Sequence, residues 1–135
     1  MSWVTNLMIH TDIREERRLL RDLSTWLDDE APRKPNARFD TYGTEMRGTG
    51  SINPLTNPNC HHWGGRKYPE CNVWAGTLNH AELTPVLDRI ASLPWQYPQK
   101  VQVFLMDQEQ QYFRLYMLRG SPWRQYAPED DQDAS

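Results

Sequence analysis

Cysteine is scarce in this chain, with two among 135 residues, and no stretch approaches the apolar length that a bilayer crossing demands. So few thiols exclude a disulfide-built scaffold, and in a reducing compartment they read as free thiols or metal ligands. The segment Met1-Ser2-Trp3-Val4-Thr5-Asn6 lacks a basic region followed by an apolar one, so no secretory signal is expected and the expected location is cytoplasmic. Positive charge is not in excess either. A formal charge of −3 argues against broad binding to nucleic acid, which needs a basic footprint to release phosphate counterions. Internal sequence repeats are absent, and so is the Gly-x-x-x-x-Gly-Lys-Ser/Thr spacing of a nucleotide-binding loop.

What the chain does hold is one core's worth of apolar residues, 38% of the total, and six tryptophans. Its length suits a single domain, expected over residues 1–119, with 120–135 as a loose acidic tail rich in Pro, Asp and Gln. Residues 3–11 alternate with period two and predict a strand, expected to be central. Asp12 and Glu15 stand at capping-box spacing, so a helix is expected from there, with Leu19, Leu20, Leu23, Trp26 and Leu27 on its apolar stripe. Arg14, Arg17, Arg18 and Arg21 fall opposite that stripe as a ridge facing water. The ridge reads either as a solvated face paired with Glu15, Glu16 and Asp22, or as a docking surface for an acidic or phosphate-bearing partner. Cations early and Asp28-Asp29-Glu30 late run against the helix dipole, a hint toward the second reading.

Ala31-Pro32 ends this helix, and Phe39–Met46 predicts a second strand. Residues 47–70 show no periodicity and are punctuated by Gly and Pro, which predicts a long ordered excursion over the surface. Cys71–Leu78 alternates as a third strand in which Gly76 marks a bulge or a close backbone approach. Leu83, Val86, Leu87, Ile90 and Ala91 form a second helical stripe, where Pro85 implies a kink or a start at Thr84. Val101–Met106 and Tyr112–Leu118 then predict a hairpin.

The resulting order resembles the ferredoxin-like, split βαβ architecture. It implies an α+β two-layer sandwich with an antiparallel sheet of about five strands, two helices on one face, and a long loop between the second and third strands. The run Trp63-Gly64-Gly65-Arg66-Lys67-Tyr68-Pro69-Glu70-Cys71, with Val73-Trp74-Ala75-Gly76 and Leu78-Asn79-His80, also resembles small proteins of unknown function from actinobacteria and their phages. That likeness implies a source and no mechanism.

Chemistry concentrates between Asn59 and Cys71. Cys60, His61, His62 and Cys71 supply the sulfur and imidazole donors zinc prefers, though one Cys abuts two His and the other lies eleven positions on, unlike paired zinc motifs. Cys60 beside His61 and His62 also carries the residue types of a Cys/His nucleophile. Gly64-Gly65-Arg66-Lys67 offers backbone N–H groups followed by two cations, as an anion nest does, or a plain turn using two glycines. Trp3, Trp74, Phe104, Tyr112 and Tyr116 supply aromatics for RNA on a sheet, but the signature pattern of such domains is missing. Trp63, Arg66, Tyr68 and Trp123 are of the types enriched at interface hot spots, or else each Trp covers part of the core. The favoured expectation is a non-enzymatic module that binds a protein or small anionic ligand through the 47–70 loop, at Trp63, Gly64, Gly65, Arg66, Lys67 and Tyr68. The alternative is a small Cys/His-dependent enzyme, with zinc as the ion its donors would hold.

Overall fold

A computed structural model describes residues 3–35, 46–108, 110–118 and 123–126. The elements run β1 (Val4–Asp12), α1 (Arg17–Asp29), β2 (Asn53–Pro54), β3 (Cys71–Asn79), α2 (Leu83–Ser92), a 3₁₀ turn at Pro98–Lys100, β4 (Gln102–Asp107), β5 (Arg114–Leu118) and β6 (Trp123–Tyr126). The chain is an α+β protein that has, among the described residues, two α-helices and a six-stranded open sheet, ordered β2-β3-β1-β4-β5-β6 and antiparallel throughout. The predicted first strand is indeed interior, with β3 on one side and β4 on the other.

Alternation fixes which side chains enter the core. Thr5, Leu7, Ile9 and Thr11 of β1 are buried while their neighbours are partly exposed, as period two requires of a strand with one covered face. Leu7 and Ile9 belong to one cluster with Leu19, Leu20, Leu23 and Leu27 of α1, Val86 and Ile90 of α2, and Trp74, Leu78, Val103 and Leu105 of the sheet. Each fully buried Leu or Ile there stabilises the fold by about 1.5–3 kcal/mol relative to leaving it in water.

Several boundaries differ from the sequence expectation. Asp12 ends β1 instead of capping α1, which starts after an extended Glu16. Asp12 Oδ1 accepts the Arg14 backbone N–H at 2.8 Å, so its carboxylate closes a local turn. Helix α2 does not have Thr84 as its N-cap: the N-cap is Glu82, which leaves Pro85 third in the first turn, where no intrahelical N–H bond is lost. The sheet shows six strands among the described residues where about five were expected, and two of them were not foreseen: Asn53–Pro54, inside the predicted loop, pairs with β3, and Trp123–Tyr126, inside the stretch assigned to the tail, pairs with β5. Trp123 Nε1–H donates to the Leu87 carbonyl at 2.8 Å and ties that edge to α2. The expected strand at Phe39–Met46 and residues 127–135 lie outside the described residues, apart from Met46 itself.

The first part of the 47–70 segment is not the exposed excursion its lack of period suggests. It is a strap that crosses from the C-terminus of α1 to the edge of β3. Gly48 N–H donates to Ala31 O at 2.8 Å, Thr49 N–H to Leu27 O at 2.7 Å, and Asn79 N–H to Thr49 O at 2.8 Å. Arg47 Nη1–H reaches Glu30 O at 3.2 Å, so a cation from outside the helix sits where α1 carries none of its own. Ile52 is buried in the core, and Ser24 Oγ both accepts its N–H at 3.0 Å and donates to its carbonyl at 2.9 Å. Gly76 explains how the strap lies so close: a Cβ there would collide with the Ser51 carbonyl, which is the close backbone approach the sequence suggests.

Candidate functional site

Beyond the strap, two contacts fix the base of the loop on β3. Leu55 N–H donates to Val73 O at 2.7 Å, and Val73 N–H donates to the buried Thr56 Oγ1 at 3.0 Å. From Asn57 the chain leaves the sheet and turns on its own hydrogen bonds, Asn59 N–H to Asn57 Oδ1 at 2.9 Å and Cys60 N–H to Asn57 O at 3.2 Å. Gly64 N–H closes on His61 O at 2.8 Å, and Gly64 and Gly65 take φ of +116° and +75°, values that L side chains avoid.

All eight residues from His61 to Tyr68 are exposed. The His61 and Tyr68 rings meet across the neck of this tip, with centroids 4.5 Å apart at a 46° tilt. Between them project Trp63, 51% exposed, and the Arg66 and Lys67 side chains, which among the described residues have no hydrogen-bond or ion-pair partner. Trp63 stands apart from the other five tryptophans, Trp3, Trp26, Trp74, Trp95 and Trp123, which are buried or mostly so.

The four candidate metal donors do not come together. Cys60 Sγ lies 2.7 Å from His62 Nδ1 and also accepts the His62 backbone N–H at 3.4 Å. His61 instead contacts Tyr68, and Cys71 opens β3 opposite Asp12. Burial pushes the Cys71 thiol pKa up. Both cysteines are free, and among the described residues no group of three or more His, Cys, Asp or Glu is placed to share an ion. His80 turns its Nδ1 to Asn79 Oδ1 at 2.7 Å.

The arginine ridge breaks into separate contacts. Arg14 lies 4.0 Å over the Tyr97 ring and pairs with Asp12 at 2.9 Å. Arg14's side chain, its backbone N–H and Lys100 hold the Asp12 carboxyl well below the usual carboxylate range. Arg17 is half buried, 5.7 Å over the Trp74 ring. Arg18 bridges Glu16 at 2.7 Å and Asp22 at 3.5 Å, and only Arg21 is both exposed and, among the described residues, without a partner. Glu15, expected to pair with this ridge, is buried elsewhere: its carboxylate accepts Gln96 N–H at 2.9 Å and Tyr97 N–H at 2.6 Å.

Of the five aromatics named for a sheet-borne RNA surface, Trp74 and Tyr116 are buried in the core cluster, which leaves no aromatic pair of that set across neighbouring central strands. One feature the sequence does not single out is a surface cleft lined by Met8, Phe104 and Phe113. Adjacent Tyr112 and Phe113 beside a hairpin turn were its signal.

The fold and site thus define an α+β domain that carries a pinned, exposed, cationic and aromatic loop tip. The chain matches no protein-family model, no curated protein and no solved structure at a significant level. Among the described residues no helix is long and apolar enough to cross a membrane.

Proposed function

We propose that this chain is a non-enzymatic binding module that recognises a protein or a small anionic ligand through the 47–70 loop, with the 61–68 tip as its contact surface. The observation that carries the reading is the tip itself: the one exposed tryptophan, and two cations without a partner among the described residues, on a loop whose neck is closed by the His61–Tyr68 contact. A Trp left half in water, while its five counterparts are buried or partly buried, costs hydration free energy unless a partner covers it. The order β2-β3-β1-β4, with α1 between β1 and β2 and α2 between β3 and β4, supports the ferredoxin-like split βαβ assignment for this part of the sheet. Two free thiols suit a cytoplasmic setting. An inhibitor or immunity role in conflict between bacteria and phages rests on the resemblance of the Trp63–Cys71 run alone.

The test is affinity capture with the full chain against Trp63→Ala plus Arg66→Ala. Both side chains are exposed, so the fold should be unaffected, and partners held by the wild type should be lost. An unchanged set of partners would sink the reading.

The Cys60–His62 contact favours a second reading, Cys/His-dependent chemistry with or without zinc. The His62 ring nitrogen stands where it can exchange a proton with the Cys60 thiol, and the His62 backbone N–H donates to the same sulfur, the arrangement of a thiol beside its base. Iodoacetamide should then alkylate Cys60 several-fold faster than Cys71, whose burial disfavours the thiolate, and His62→Ala should slow the Cys60 reaction. Mass spectrometry of the labelled peptides reads both rates. Equal rates at the two cysteines, or no response to His62→Ala, would remove this reading.

A further inference from the structure

The tip differs in charge from the molecule that carries it. The chain is acidic, net −3, yet His61–Tyr68 holds Arg66 and Lys67 and no acidic residue. Arg14, Arg18 and Lys100 have carboxylates within 4 Å of them, whereas Arg66 and Lys67, like Arg21 on α1, have none among the described residues. A solvated charge alone would explain two exposed cations. It would not explain why they share one short turn with Trp63 and Tyr68, 51% and 54% exposed, or why that turn is held at its neck by the His61–Tyr68 contact and the Gly64 N–H to His61 O bond. Holding a loop in shape before it binds removes part of the ordering cost of association.

We infer that the tip recognises an acidic protein surface, with Arg66 and Lys67 meeting carboxylates around an apolar notch that receives Trp63. The inference rests on the binding-module reading and narrows its partner. Charge complementarity selects the acidic surface, and the exposed indole selects a protein over a bare anion, because a phosphate or carboxylate alone gives Trp63 nothing to bury against. Single-stranded nucleic acid fits less well. It is held by a basic groove that follows its backbone and by successive stacking rings, and this chain offers two cations at one turn on an acidic body.

The test is an NMR titration of the isotope-labelled full chain with four probes: a synthetic peptide of alternating Glu and Leu, the same peptide with Gln for Glu, inorganic phosphate, and oligothymidine. The expected result is saturating shifts confined to the 61–68 amides with the Glu–Leu peptide. Added salt should weaken them, and Arg66→Gln plus Lys67→Gln should raise the Kd roughly tenfold, about 1.4 kcal/mol. A tip silent toward the Glu–Leu peptide would overturn the inference, as would phosphate, oligothymidine or the Gln–Leu peptide shifting it equally. Affinity capture repeated with Trp63→Ala alone and with Arg66→Gln plus Lys67→Gln, each against the wild type, separates the two failures. If a partner depends on Trp63 but not on Arg66 and Lys67, the acidic surface is wrong and the module reading stands; if no partner depends on Trp63, the module reading itself falls.

Discussion

Replacing Glu15 by alanine should lower the unfolding free energy by about 2–4 kcal/mol, among the largest effects expected of any single polar side chain here. The Glu15 carboxylate is buried and takes two consecutive backbone N–H groups, Gln96 at 2.9 Å and Tyr97 at 2.6 Å, from a connection eighty-one and eighty-two residues away. That connection follows α2 and leads through Pro98–Lys100 into β4, so one side chain fixes the entry of α1 against the link between the second helix and the sheet. A charged acceptor makes each bond worth more than a neutral one, and truncation leaves both donors without it. Gln96 is exposed, so water recovers part of the loss there, which keeps the estimate below the sum of two fully buried deletions. Glu15→Gln retains one acceptor oxygen at the same reach and should cost about half as much. Urea unfolding decides it: a midpoint shift of roughly 1–2 M at unchanged slope is expected for the alanine variant. A shift too small to resolve would mean that the 94–100 connection holds its place without Glu15.

That anchor also shows where the sequence was legible and where it was not. Strands β1 and β3, the β4–β5 hairpin and the stripes of both helices follow from period two and period 3.6, because each buries one face against a single core. Glu15 is illegible for a physical reason. Its spacing from Asp12 imitates a capping box, while its true partners are backbone groups with no side-chain signature, brought near only by the tertiary fold. The edge strand β2 is two residues long and includes Pro54, which is tolerated at an edge and carries no periodic signal. Strand β6 has four residues inside a polar stretch, and Trp123 is its only strong cue. At the candidate site, Gly64 and Gly65 and the density of aromatics mark a structured turn. The pairing of Cys60 with His62 instead of Cys71, and of His61 with Tyr68, depends on how that turn closes, and periodicity says nothing about that.

Gly76→Ala should cost about 3.5–5 kcal/mol, and the loss should be local before it is global. The new methyl group would fall on the Ser51 carbonyl and lie 3.2 Å from Ile52 Cα, both backbone atoms that cannot yield by a change of rotamer, and 3.0 Å from the Ile52 Cγ2 side-chain carbon. Strand β3 is held along its length by β1, from Cys71 opposite Asp12 to Asn79 opposite Val4, whereas the strap forms a ladder with β3 at Asn53 and Pro54 and touches it by single bonds at Thr49 and Leu55. The strap is therefore the element that moves. Lifting it exposes the buried Ile52 side chain, worth about 1.5–3 kcal/mol, and breaks the two Ser24–Ile52 hydrogen bonds, worth about 1 kcal/mol each. Hydrogen exchange identifies the mechanism: amide protection should fall at Ile52 and Leu55, whose N–H groups bond Ser24 Oγ and Val73 O, while Leu7 and Leu105 between paired central strands keep theirs. Protection lost equally at all four would show that the whole fold gives way and that the strap is not a separate unit. Because the strap fixes one end of the loop that carries Trp63, a variant that frees it should also bind more weakly through the 61–68 tip although no tip residue has changed, the ordering cost having returned to the binding step.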